Sequence, residues 1–467
     1  MLVFLIAYCL LLLLVGAHAS RSVHRAEDFF VAGRNLSPSL VFATFLAANL
    51  GAGSTVGAAG FGYTDGLAAW WWVGSAGIGS LLLAFAVGPR LHRVASRLSL
   101  YTVGDLLEAR YGRTTRLVAA VILLCGAPAI LAGQIIAVGL VLRVVAGVPE
   151  QWGLVLGGCV ATAYFVMGGL RSAAWVNSLQ VVVKVAGFAI AVPWMLRAGG
   201  GWAGLAAAAP NAQAVPRDAT GSAAIAQMVL MLAPAFMVSP GLVQKLFGAR
   251  DESAVRTGVG LQGAALLGFA FLPVLLGMIA RVHFPDLNDP GLALIRLLGE
   301  AAPTWLGALM LAAVFSAEIS SADAVLFMIT TSAARDVIEP LSGGRLRDAA
   351  LLARTRLSAV VAGLAGILLA RWFRSILSAL GFFYSLLTIT LFVPLLAGLY
   401  WRRPGQATAL AAMGFSLAAA GLALLVPDAL GGWLGPVPAG IAASAAVFVA
   451  RGLLRSRIDA PGGSPGG

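Results

Sequence analysis

Residues Ser37 to Tyr63 read SPSLVFATFLAANLGAGSTVGAAGFGY, a stretch long and apolar enough to cross a bilayer but with a centre poorly suited to helix. That centre is Asn49-Leu50-Gly51-Ala52-Gly53-Ser54-Thr55. Each glycine disfavours a helix interior by ~1 kcal/mol relative to alanine. Asn, Ser and Thr offer the backbone competing hydrogen bonds. Lipid supplies no partner for a freed backbone group, so a break at membrane depth must face protein, water or an ion. Two readings follow. The small residues could form a seam for close helix packing, or the helix could be interrupted so that its loose ends build a site. The stretch alone does not choose between them.

The rest of the chain fixes the environment. Of 467 residues, 60% are hydrophobic and 11% charged, where a soluble domain carries about 25% charged residues. The fold class expected is therefore an all-α polytopic membrane protein. Apolar runs near residues 37–60, 66–88, 115–146, 152–167, 176–197, 222–246, 255–280, 303–334, 352–371, 374–399, 406–427 and 434–451, with a first helix at 1–20, give about thirteen transmembrane helices at ~20 residues each. The first run ends in Ala17-His18-Ala19, which looks like a cleavage site, but it lacks the positive start of a secretory signal. It is read as a retained helix with its N-terminus outside.

The net charge of +12 would suit a nucleic-acid partner, but its placement suits topology. With the N-terminus outside, about 23 of the 31 basic residues fall in loops on the cytoplasmic side, as the positive-inside rule requires. The C-terminus is then cytoplasmic, and the tail 460–467 (APGGSPGG) reads as disordered. The expected location is the plasma membrane, multi-pass. Expected partners are the lipid bilayer and a small-molecule solute, with no nucleic acid, and a monomer is an admissible state. Cys9, Cys125 and Cys159 lie in apolar runs without metal-ligand spacing and read as packing residues. No HExxH, GxSxG, Walker-type or Cys/His motif is present, so nothing points to an enzyme or to an organic cofactor.

Several motifs, in order, resemble the sodium:solute symporter family. They are Asp28-Phe29-Phe30-Val31-Ala32-Gly33-Arg34 before the broken stretch, and Ala47-Ala48-Asn49-Leu50 with Gly57-Ala58-Ala59-Gly60-Phe61-Gly62-Tyr63 within it. Gly168-Gly169-Leu170-Arg171-Ser172, followed by Gln180, and Gln244-Lys245-Leu246-Phe247-Gly248-Ala249-Arg250 continue the series, which ends in Ala312-Ala313-Val314-Phe315-Ser316. The resemblance implies a leucine-transporter-like fold, a 5+5 inverted repeat with discontinuous helices. Its units would be 37–197 and 222–400, followed by two C-terminal helices within 406–451. A second break is expected at Ala233-Pro234-Ala235-Phe236-Met237-Val238-Ser239-Pro240-Gly241, where the prolines remove backbone donors.

The resemblance also implies a secondary active transporter coupled to sodium, importing a small organic solute by alternating access. Mapped residue by residue, the sodium ligands would be the carbonyls of Ala47, Leu50 and Ala313 and the hydroxyl of Ser316. The second hydroxyl position is taken by Ala317, and the family's usual aspartate by Asn177. Lys184 lies two turns beyond Asn177 on a face shared with Gln180. A lysine at membrane depth is costly by at least ~2.5–3.5 kcal/mol unless partnered. Transporters of this architecture include some in which a lysine ammonium stands where sodium would bind. The alternatives are thus sodium coupling, with Glu318 restoring a ligand, or a proton-coupled or ion-independent transporter using Lys184. Lys184 could also snorkel along a cavity or simply pair with Glu318. A non-transporting sensor is a further alternative.

Candidate solute-binding residues are Asn49, Ser54, Thr55, Gln134 and Ser239. Where sugar-carrying members place a Glu-Gln pair, this chain has Gly53 and Ser54. A sugar's hydroxyls would be left unpaired there, so a carboxylate or amino-acid-like solute is favoured over a sugar.

Overall fold

The computed structural model describes residues 26–167, 170–208, 219–343, 347–373, 375–401, 404–426 and 435–458, with Leu10, Leu11 and Leu14 before them. The expected first helix (1–20), the Gly168-Gly169 pair and the tail 460–467 fall outside these residues, apart from those three leucines.

The helices that build the site are α1 (Pro38–Asn49), α2 (Val56–Asp65), α3 (Trp70–Leu82), α4 (Val103–Tyr111), α5 (Arg113–Ala146), α6 (Glu150–Met167) and α7 (Leu170–Ala198). There follow α8 (Ala219–Val238), α9 (Pro240–Phe247), α10 (Glu252–Phe269), α11 (Phe271–His283), α12 (Thr304–Ser332), α13 (Asp348–Ala370) and α14 (Ile376–Leu387). Two more, Gln406–Leu425 and Pro436–Ile458, close the described chain. No named strand occurs among the described residues.

Nine helical stretches among the described residues are long and apolar enough to cross a bilayer. The expected count is not reproduced one for one, because breaks divide or merge the spans. Ala52–Leu98 runs as one 47-residue stretch, while Pro38–Asn49 and Pro436–Arg451 are shorter apolar helices.

Both expected breaks are present. Ser37 caps α1, its hydroxyl accepting from Leu40 N, and Pro38 starts the helix at a position where its missing N–H is harmless. At the far end Leu50 (φ −91, ψ 80) and Gly51 (φ −132, ψ −161) leave helical geometry, and α2 resumes at Val56. The second break is sharper: α8 ends at Val238, Ser239 (φ −52, ψ 119) bends, and α9 starts on Pro240.

Among the described residues, Arg34, Arg93, Arg116, Arg250 and Arg335 gather at one end of the molecule. There the motif ending Ala32-Gly33-Arg34 turns through three consecutive positive φ angles (51, 62 and 53). This turn aims the Arg34 guanidinium at Leu100 O (2.8 Å) and over the Tyr101 ring. Leu36 N donates to Gly248 O (3.0 Å) and Arg250 N to Leu36 O (3.1 Å), tying together the arginine-rich ends of the two broken helices.

Helix α12 runs through the middle, in contact with α1, α5, α6, α7, α9 and α13, and it is buried along most of its length. The periphery is apolar: Leu357, Val361, Leu364 and Leu368 of α13 share one exposed helical face, as lipid contact demands. Cys125 and Cys159 also lie exposed, so the packing role expected of them is not what they do.

Candidate functional site

A helix leaves its last carbonyls without intrahelical partners, and its C-terminal end carries negative partial charge. The break after α1 puts this end at the centre of the protein. Its orphan carbonyls are Ala47, Ala48, Asn49 and Leu50, and each has found a partner from elsewhere. Lys184 of α7 donates from Nζ to Ala47 O (3.1 Å), to Leu50 O (3.2 Å) and to Ser320 Oγ (2.5 Å). Ser320 donates to Ala47 O (2.9 Å) and lies 3.1 Å from Ala317 O. Ser321 donates to Ala48 O (3.0 Å), and Ser54 to Asn49 O (2.8 Å). Lys184 is fully buried, and its three donors meet three acceptors.

The ion-ligand set expected from sequence therefore needs a shift of register on α12. The groups facing Ala47 and Leu50 are Ser320, Ser321 and the Ala317 carbonyl. Ala313 sits about one turn back, where a Cβ on Gly187 would touch it. Ser316 is buried on the same helix but is not among the groups bonded to these carbonyls in the contacts described above. A slip of four residues returns to almost the same helix face, which is why sequence spacing did not separate the two registers. The distinguishing signal was chemical: Ser320-Ser321 supplies the two adjacent hydroxyls that Ser316-Ala317 lacks.

Glu318 does not take Lys184 as a hydrogen-bond partner. Its Oε1 accepts from Thr55 Oγ1 (2.8 Å) and its Oε2 has no partner. The two remain electrostatic neighbours. Thr55 also bonds Gly51 O (2.9 Å), so it fastens α2 to α12 and does not face the cavity. Asn177 and Gln180 are buried on α7, Gln180 with both amide atoms unpartnered.

Beside this cradle lies a small central cavity of about 40 Å³, lined by Asn49, Gly51, Gly53, Ser54, Trp72, Gln134, Phe236, Ser321, Leu380 and Tyr384 among others. Asn49, Ser54 and Gln134 were expected here; Trp72, Phe236, Ser321 and Tyr384 were not. Most of the expected polar atoms are already committed to the break. Gln134 Oε1 accepts from Ala52 N (2.9 Å), and Ser54 Oγ accepts from Gly51 N (2.9 Å). Asn49 Nδ2 is buried and unpartnered. None of the lining side chains is charged. Phe236 and Tyr384 place their ring centroids 5.4 Å apart on its wall.

Two further spaces flank it. Toward the arginine-rich end, a small cavity of about 50 Å³ shares Asn49, Phe236 and Tyr384 with the centre and adds Ser239, Gly241 and Lys245. Ser239 thus lines this cavity and not the central one. Toward the opposite end, a vestibule of about 330 Å³ is bordered by Gly57, Thr64, Glu150, Asp289 and Leu377. Leu380 and Leu377 of α14 fill the space that side chains on Gly53 and Gly57 would need, and so stand between vestibule and centre.

Comparison with known proteins gives a consistent picture. The model of the sodium:solute symporter family matches residues 29–415. The sodium/pantothenate symporter of Escherichia coli (strain K12) is 26% identical over 436 residues, spanning 88% of this chain and 87% of that protein. The high-affinity proline transporter of Bacillus subtilis (strain 168) is 23% identical over 424 residues, spanning 86% and 87%. Among solved structures, a Na+-coupled sialic acid symporter in a substrate-bound outward-open state superposes with TM-score 0.82 at 19% identity, covering 98% of this chain and 97% of its own. A nucleobase-cation-symport-1 family transporter superposes at 0.61 with 13% identity, over 94% of this chain and 97% of its own. These superpositions establish a shared leucine-transporter-like fold.

Proposed function

The chain belongs to the sodium:solute symporter family, and on that premise we propose that it imports a small organic solute by alternating access, with the Lys184 ammonium in the place of a sodium ion. One observation carries this reading: Lys184 Nζ bonds Ala47 O and Leu50 O, the two carbonyls at the first break that the family resemblance assigns to sodium. A buried ammonium with three acceptors supplies there the positive charge that the helix end attracts. Sodium coupling through this cradle is then replaced by coupling to a proton carried on Lys184, or by no ion coupling at all.

One observation favours a second reading. The carbonyls of Ala47, Leu50 and Ala317 and the hydroxyls of Ser320 and Ser321 form a set of hard oxygen donors suited to sodium. The pantothenate relative and the sialic acid symporter structure are named as sodium-coupled. Sodium would bind in this reading if Lys184 swung aside.

The solute class follows from the central cavity. Its few polar groups are mostly spent on the break, so a polyol would leave hydroxyls unpaired. A solute with an apolar body and one carboxylate or amino-acid head suits it, as do the pantothenate and proline for which the two relatives are named. The arginine-rich end is assigned to the cytoplasm, and the Glu150/Asp289 vestibule to the outside.

Proteoliposome uptake of labelled pantothenate, proline and short carboxylates, under imposed sodium or proton gradients, tests the proposal. The expected result is uptake indifferent to replacing sodium by potassium. Uptake that collapses without sodium would favour the second reading.

A further inference from the structure

Lys245 plays no part in the cradle, yet it is the other lysine buried at membrane depth, 2% exposed. It stands on α9, the cytoplasmic half of the second broken helix, and lines the inner cavity. Its Nζ makes one long hydrogen bond, to Thr44 O (3.4 Å). Asp323 of α12 is its electrostatic counter-charge, though no direct ion pair joins them among the described residues.

Two other donors converge on the same space. Asn49, at the boundary with the central cavity, has a buried amide nitrogen without a partner. The N-terminal turn of α9 adds Gly241 N–H, its remaining donor, since Pro240 has none and the N–H groups of Leu242 and Val243 bond Ser239 O. A buried ammonium, an orphaned amide donor and one backbone N–H together favour one kind of occupant, a small anion with oxygen acceptors. The remaining wall, Phe236, Met328, Phe383 and Tyr384, is apolar or aromatic and suits the carbon body of an organic acid.

We infer that this inner cavity is a second station for the solute, in which Lys245 and Asn49 take its carboxylate after it leaves the central cavity and before it is released to the cytoplasm. The inference rests on the transport reading and deepens it. A solute carboxylate there exchanges the long Lys245–Thr44 bond, which joins α9 to α1, for one with the solute, and that gives release a physical trigger.

The test uses purified full-length protein with benzoate and its neutral analogue benzamide as probes. Thermal stability is followed against probe concentration. Benzoate is expected to stabilise the protein saturably and benzamide not to. In Lys245→Met the benzoate concentration for half-effect should rise roughly tenfold or more, the worth of a charge-assisted bond, with Lys245→Arg recovering most of it. Equal effects of the two probes, or an unchanged response in Lys245→Met, would overturn the inference. Should Lys245→Met fail to fold, a cysteine at Met328 gives the same answer. Benzoate, and not benzamide, should slow its labelling by a membrane-impermeant maleimide added from the cytoplasmic side, and equal slowing would overturn the station. Benzoate protection in a protein that transports no carboxylate would keep the station and sink the transport reading.

Discussion

Of the buried cations beside α12, Lys184 and Arg116 keep the most different company. Lys184, beside the middle of the helix, is held by neutral oxygens: two carbonyls of a broken helix and one hydroxyl. Arg116, near the arginine-rich end, is caged by carboxylates, with Asp105 at 2.8 Å, Glu108 at 2.5 Å and Asp336 at 3.0 Å. Asp336 is itself fixed by Thr102 (2.6 Å) and Ser332 (2.7 Å). Neutral oxygens hold a cation by dipoles and can exchange it for another. A low-dielectric cage of charges cannot lose a member without leaving the rest uncompensated. The first arrangement suits an interface that opens and closes, where the break of α1 meets α7 and α12. The second suits a permanent clamp pinning α4 and α5 to the end of α12.

This contrast can be broken by substitution. Lys184→Met should abolish uptake while the protein still folds, because the cradle loses its only described cation. Normal transport by this variant would erase the distinction between the two regions. Arg116→Met should act on stability, costing roughly 3–5 kcal/mol as the buried Asp336 carboxylate loses its described cation. Adding Asp336→Asn should recover part of that loss, and chemical denaturation of the two variants measures it. Equal loss in the double variant would mean that the cage does not act as a unit.

Smaller effects sharpen the cradle itself. Gly51→Ala puts a methyl into the Ser321 hydroxyl and the Gln134 amide, an overpacking expected to cost about 1–3 kcal/mol, with uptake falling in parallel. Ser321→Ala removes one bond to the break, worth about 1 kcal/mol, and should leave Lys184 in place. A Ser321→Ala protein as impaired as Gly51→Ala would show that the hydroxyls, and not the shape of the break, dominate.

Much of this was legible in the chain. Glycines and small polar residues between apolar runs announced the first break, and Pro234 and Pro240 the second, because helix propensity acts locally. Lys184 was visible as a charge with no place in lipid. The register of α12 was legible only in the adjacent hydroxyls of Ser320-Ser321 and not in spacing, since Ser316 and Ser320 lie one turn apart on one face. Sequence could not show that Thr55 turns toward Glu318, or that Trp72 and Tyr384, far apart in the chain, close one cavity. The inner position of Lys245 was hidden for another reason. Its motif places it at a loop, and only the depth of the second break shows that α9 carries it back into the protein.

The central claim is that an ammonium holds the place of sodium at the first break. The most direct measurement is thermal stability against sodium concentration, with potassium keeping ionic strength constant, in the wild type and in Lys184→Ala. The account predicts a flat response in the wild type and saturable stabilisation by sodium in the variant, where the three oxygens that Lys184 held are freed to bind it beside Ala317 O and Ser321 Oγ. Saturable stabilisation of the wild type by sodium over potassium would contradict it.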